Sequence, residues 1–117
     1  MQAELTTDTD CWGGKIASLT SGAESPWSVA VQTSPSKVDA EDAKRVTIPM
    51  MVLASKDEPA DAIKAYSEAL TVPKHVETFE TQIHGWMSAR ADLADAKVKE
   101  EYERGYALAL RWFSQHL

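Results

Sequence analysis

Apolar residues along the chain fall into short blocks separated by turn-forming residues, and the period changes from block to block. Residues 46–54, Val46-Thr47-Ile48-Pro49-Met50-Met51-Val52-Leu53-Ala54, form the most apolar block. A continuous run of this length, bounded by turn signals, predicts a strand buried on both faces. Pro49 has no N–H for a ladder, which places it at the strand's start. Residues 27–32 predict a second compact strand, broken by Thr33-Ser34-Pro35-Ser36. Residues 75–79 predict a third, with Val76 and Thr78 opposed to His75, Glu77 and Phe79. Between these blocks the period becomes helical. Residues 15–21 read as a short helix stopped by Gly22. Residues 39–45 are charged and read as one surface turn. A helix from Pro59 to about residue 70 sets Ala62, Ile63, Tyr66 and Leu70 on one face, behind a capping box at Ser55-Lys56-Asp57-Glu58. The last helix, residues 93–115, has its stripe at Val98, Tyr102, Tyr106, Ala109, Phe113 and Leu117. Lys97 with Glu101, and Glu100 with Arg104, are i,i+4 pairs on its wet side. Gly105 interrupts this helix at a cost of roughly 1 kcal/mol relative to alanine, which points to close packing there.

Strands alternating with helices predict an α/β domain whose small sheet is mainly parallel, with crossover helices on its flanks. Residues 11–117 read as one domain. Residues 1–10 are polar, without alternation, and read as loop, frayed terminus or weak edge strand. Three good strands leave a parallel edge exposed, a pairing liability. A second copy of the chain, or residues 1–10, is expected to cover it.

Composition narrows the partners more than the fold. The 117 residues are 44% hydrophobic and 26% charged, with a formal net charge of −6. An acidic surface repels phosphate backbones, so nucleic acid is not an expected partner. No apolar run approaches the length of a membrane span, and residues 1–10 lack the basic and apolar regions of a signal peptide. The single cysteine excludes an intramolecular disulfide, and a reducing cytoplasm is the simplest compartment.

That cysteine is also the first candidate for chemistry. Cys11-Trp12-Gly13-Gly14-Lys15 sets a thiol before two glycines and a helical run. Asp57 follows the buried strand and His84, in His84-Gly85-Trp86, follows the next. Nucleophile, acid, histidine is the chain order of an α/β-hydrolase triad. At a helix N-terminus, beside an imidazole, the thiol is activated, and the N–H of Trp12 can serve as an oxyanion donor. Against these readings stand plainer ones. Cys11 can be an inert thiol near a chain terminus, Asp57 a helix N-cap, and His84 a surface or core histidine. Lys15 and Arg90 either bind an anionic substrate or are merely solvated. Trp27, Trp86 and Trp112 line an aromatic pocket or fill core. His75 and His116 have no partners at metal-ligand spacing, so neither a metal nor a cofactor is expected.

Taken together, Cys11-Trp12-Gly13-Gly14-Lys15, the run from Ile48 to Glu58, His84-Gly85-Trp86 and the closing Glu100-Glu101-Tyr102-Glu103-Arg104-Gly105-Tyr106 resemble the fungal type of dienelactone hydrolase family protein. The resemblance covers roughly Cys11 to Leu117 and corresponds to the C-terminal half of that family's α/β-hydrolase fold. It implies Cys11 as nucleophile, Asp57 as acid, His84 as base, and Arg90 as the nearest match to the family's carboxylate-binding arginine. Two residues before the cysteine the family has glycine, where this chain has Thr9. The implied activity is hydrolysis of an ester, lactone or related small carbonyl metabolite, in a truncated α/β-hydrolase-like domain whose pocket, with Trp12, Trp86 and Arg90 as substrate contacts, is completed by homo-oligomerisation. Two alternatives stand beside it. The same pocket can cyclise or isomerise a small metabolite without an acyl-enzyme, or survive as a non-catalytic binding module.

Overall fold

The computed structural model describes residues 6–11 as backbone, together with residues 21–23 and 27–117. Trp12, the Gly13-Gly14 turn and most of the helix expected at residues 15–21 lie outside the described residues.

Four strands form one parallel sheet in sequence order: β1 (Thr6–Cys11), β2 (Val29–Pro35), β3 (Met50–Ser55) and β4 (Lys74–Phe79). The polar residues 6–11, for which an edge strand was one of three readings, form β1 beside β2. β3 begins at Met50, directly after Pro49, whose carbonyl accepts the Ala30 N–H at 3.0 Å. Every residue of β2 and β3 is buried, as central strands of a parallel sheet require. Three helices are described: the single turn α1 (Ala40–Ala43), α2 (Ala60–Ala69) and α3 (Ala96–His116).

Alternation along the central strands sorts the core into two layers. Met51 and Leu53, with Val29 and Val31, face Phe79, Trp86, Met87, Ala109 and Trp112 on the α3 side. Met50 and Val52, with Ala30, face Ala43, Val46, Tyr66 and Leu70 on the α1 and α2 side. One polar side chain crosses that second layer. Gln32 is 2% exposed, and its Nε2 donates to the Tyr66 hydroxyl at 3.0 Å, which offsets the cost of burying the amide.

α3 starts at Ala96 rather than residue 93 because Asp95 caps it, accepting the N–H groups of Lys97 and Val98 at 2.9 and 3.1 Å. Its buried residues are Gly105, Ala109 and Trp112. Ala109 lies on the expected stripe, while Gly105 and Trp112 lie one position before Tyr106 and Phe113, which pack half-buried against the same core. Leu117, the end of that stripe, is exposed. A Cβ at Gly105 would lie 2.8 Å from Met87 Sδ and 2.9 Å from its Cε, so the helix approaches Met87 through its smallest residue. We expect Gly105→Ala to destabilise the fold by about 1 kcal/mol net. Overpacking costs about 1–3 kcal/mol, against a gain of about 1 kcal/mol in helix propensity. Met87 is 2% exposed, so its thioether must shift within the core to admit the methyl group. Urea midpoints should show Met87→Ala costing less when combined with Gly105→Ala than alone. A stabilised Gly105→Ala protein would contradict this packing.

α3 is also tied to the edge strand. Arg104 donates to Glu77 on β4 at 2.5 Å and to Glu101 at 2.7 Å, and lies 4.1 Å from the centre of the Phe79 ring. Burial of Glu77 disfavours its ionisation. Hydrogen bonds and charge from Arg104 and His75 outweigh that burial and hold its carboxyl below the ordinary 4.5. A depressed carboxyl stabilises the fold above its unfolded pKa, and that contribution is lost as pH falls through the folded value. An Arg104→Gln protein should therefore be less stable than wild type near neutral pH, with the deficit narrowing below about pH 4.5 in urea titrations. A deficit independent of pH would assign Arg104's role to its stacking on Phe79.

Candidate functional site

In an open parallel sheet the loops after the strands gather at one edge, and ligands bind in the crevice there. Here that edge collects the ends of β1 at Cys11, β2 at Pro35, β3 at Ser55 and β4 at Phe79. A cleft of about 320 Å³ opens over it, lined by Pro35, Lys37, Asp57, Glu58, Ala62 and His84 among others.

The loops around this cleft are fastened to one another. Ser34 and Lys37 both hold left-handed backbone, with φ of 45° and 51°, so the chain turns sharply as it leaves β2. Such conformations are costly for residues other than glycine and persist only where their surroundings impose them. Ser34 is fully buried, and its hydroxyl accepts the Gly85 N–H at 3.0 Å. Gly85 itself has φ of 88°, a conformation that favours glycine. One residue earlier, the His84 N–H donates to Asp57 Oδ2 at 2.9 Å. The Lys56 N–H donates to the Gln82 carbonyl at 3.0 Å. Successive amides of the His84 loop are thus held by side chains from the ends of β3 and β2.

The imidazole has a different partner. His84 Nδ1 lies 3.1 Å from Glu58 Oε2. The Glu58 side chain is 3% exposed and that of His84 30%. Glu58 Oε1 accepts the Ser55 N–H at 2.7 Å, and Oε2 accepts the Ser55 hydroxyl at 2.6 Å. The same hydroxyl accepts the Asp57 N–H at 3.2 Å. A buried carboxylate must be saturated with donors to be tolerated, and Glu58 has three. An ionised Glu58 can only accept, which assigns the proton of a neutral ring to Nδ1 and leaves Nε2 with a lone pair, the form a general base needs.

The expected site residues are therefore distributed as follows. His84 and Asp57 meet at the cleft, but Asp57 binds the histidine's backbone, and the ring is held by Glu58. Cys11 ends β1 opposite Pro35, a residue of the cleft wall. Trp12 is outside the described residues. Trp86, expected to line the pocket, is instead fully buried on the α3 side, with its ring centre 4.9 Å from that of Phe79. From that core layer it supports the loop that carries His84. Arg90 is exposed; it donates its N–H to the Gly85 carbonyl at 2.9 Å and does not belong to the cleft lining. Glu58 had a signal in the sequence, the Ser-x-x-Glu spacing. Half of that box forms, the Ser55 N–H to Glu58 Oε1, while the Ser55 hydroxyl accepts the Asp57 N–H instead; both lie in the turn before α2, whose N-cap, Pro59, has no side-chain bond. Among the described residues no group of His, Cys, Asp and Glu could hold a metal ion. Among them, too, no helix is long and apolar enough to cross a membrane.

A small parallel sheet with helices on its flanks, and this arrangement at the strand ends, define an α/β-hydrolase-like fold. Over 97% of its length the chain aligns with the crystal structure of a Klebsiella pneumoniae protein that carries a provisional dienelactone hydrolase assignment. The TM-score is 0.80, the identity is 19%, and 52% of that chain is covered. Two uncharacterized AIM2 family proteins of Schizosaccharomyces pombe are similar in sequence. One is 37% identical over 108 residues, the other 32% identical over 110. These alignments take in 88% and 90% of this chain but only 43% and 44% of the relatives, so the chain spans less than half the length of each. No family model matches.

Proposed function

We propose that this chain carries the nucleophile and base of a hydrolase acting on an ester, lactone or related small carbonyl metabolite. The observation that supports this most is the convergence at one sheet edge of the end of β1 at Cys11 with a His84 ring held by a buried carboxylate. In this reading His84 Nε2 accepts the Cys11 thiol proton as sulfur attacks the carbonyl carbon. The backbone N–H of Trp12 steadies the developing oxyanion. Collapse of the tetrahedral species expels the alcohol, which takes the proton from His84. Water, deprotonated by the same ring, then cleaves the thioester and frees the acid and the thiol. Asp57 and Glu58 keep the histidine and its loop in place. Neither metal nor cofactor enters these steps. A second copy of the chain completes the cleft, since among the described residues β1 pairs with β2 alone.

A second reading is favoured by one feature: the His84–Glu58 pair is complete without the thiol. The same base can abstract a proton from a carbon next to a carbonyl and so isomerise or cyclise a metabolite. Turnover of a panel of aryl esters and lactones by wild type, Cys11→Ala and His84→Ala separates the two. Hydrolysis requires both residues, whereas base-only chemistry survives loss of the thiol. Absence of both activities would leave a binding module.

A further inference from the structure

We infer that Glu58, and not Asp57, is the positioning residue that fixes the tautomer of His84, while Asp57 fixes only the backbone of the loop. The inference rests on His84 acting as a base, as proposed above, but concerns which carboxylate makes it one. The two acids are adjacent in sequence and both reach His84, yet they reach different atoms. Asp57 Oδ2 takes the backbone N–H at 2.9 Å, and Glu58 Oε2 lies 3.1 Å from ring Nδ1.

The bonds around Glu58 make its role sensitive to a single atom. Its Oε1 accepts the Ser55 N–H, a donor that cannot rotate away. Its Oε2 accepts both the Ser55 hydroxyl and the ring. In Glu58→Gln the amide oxygen must stay on the Ser55 N–H. The amide NH₂ then replaces Oε2, and it can only donate. The Ser55 hydroxyl can turn to accept, but His84 Nδ1 can accept only by giving up its proton. The ring then carries its hydrogen on Nε2 and is no longer a base toward the cleft. Asp57→Asn has no such effect, because an amide oxygen accepts the His84 N–H as a carboxylate does.

The test is the long-range ¹H–¹⁵N spectrum of the histidine rings in the full chain at about pH 8, above the usual histidine range so that neutral rings dominate. His84 signals are assigned by their loss in His84→Gln. Wild type and Asp57→Asn should show the Nδ1–H form, and Glu58→Gln the Nε2–H form. Where an activity is measured, Glu58→Gln should lose on the order of 10⁴-fold, as a triad enzyme with the wrong tautomer does. Retention of Nδ1–H in Glu58→Gln, or its loss in Asp57→Asn, would overturn the assignment. Should Glu58→Gln fail to fold, the Asp57→Asn spectrum decides: an altered tautomer refutes the assignment and an unaltered one sustains it. The spectrum needs no substrate, so the two claims fail separately. Inversion without ester or lactone turnover removes the hydrolase reading alone, and turnover with no inversion removes Glu58 alone.

Discussion

Trp86→Ala is expected to destabilise the domain by roughly 3–5 kcal/mol, the largest effect of any single substitution considered, and to leave much of the protein unfolded under mild urea. Trp86 is fully buried between the loop that carries His84 and the α3 layer, against Phe79, Met87 and Trp112. Its removal opens a cavity of indole size in a layer whose other wall is the sheet itself. Domains of this length have only about 5–15 kcal/mol in hand, so a loss of that size consumes a large part of the total. Trp86 also follows Gly85, whose N–H bond to Ser34 holds the loop. Trp86→Phe should be much milder. It keeps an aromatic ring against Phe79 and removes an indole N–H that has no hydrogen-bond partner among the described residues. Urea midpoints for the three proteins check this ordering. A Trp86→Ala protein within about 1 kcal/mol of wild type would mean the side chain is not core.

The second large effect falls on chemistry. His84→Ala should reduce ester or lactone turnover by about 10²–10⁴-fold, the range for loss of a placed general base. The stability cost should be about 1–3 kcal/mol, because the substitution takes one of three donors from the buried Glu58 carboxylate. Cys11→Ala should abolish the same turnover, since no acyl group can then be held. Combining the two substitutions should cost little more than Cys11→Ala alone, because nucleophile and base act as a unit. Additive losses would mean that the two residues work in separate places.

How much of this was legible in the sequence depends on the kind of signal each feature leaves. Residues 46–54 announced β3 through continuous apolarity, and Pro49 marked its start by lacking a donor. Both hold, because a doubly covered strand has no wet face to interrupt the run. β1 left almost no signal. Its residues, Thr-Thr-Asp-Thr-Asp-Cys, are polar, and their strand geometry comes from pairing with β2, a tertiary cause that a local pattern does not carry. The stripe on α3 holds at Ala109, and Tyr106 and Phe113 pack against the core, but it passed over Gly105, where the helix comes closest to the core, because a stripe drawn through large apolar side chains skips a glycine. Trp86 had two readings, pocket wall or core, and the local pattern does not choose between them; packing against Phe79 in the sheet's α3 layer decides for the core. At the candidate site the residue types and order were legible, and the partner of the ring was not. Asp57 and Glu58 are adjacent acids, and which of them meets Nδ1 is set by the turn before α2 and by Ser55, neither of which the spacing alone reveals.

The most direct test of a joined Cys11–His84 site is the rate at which iodoacetamide alkylates Cys11 near neutral pH, compared between wild type and His84→Ala. A thiol paired with an imidazole should react at least about tenfold faster than free cysteine, and the advantage should vanish when His84 is removed. An alkylation rate equal to that of free cysteine, and unchanged in His84→Ala, would contradict the account.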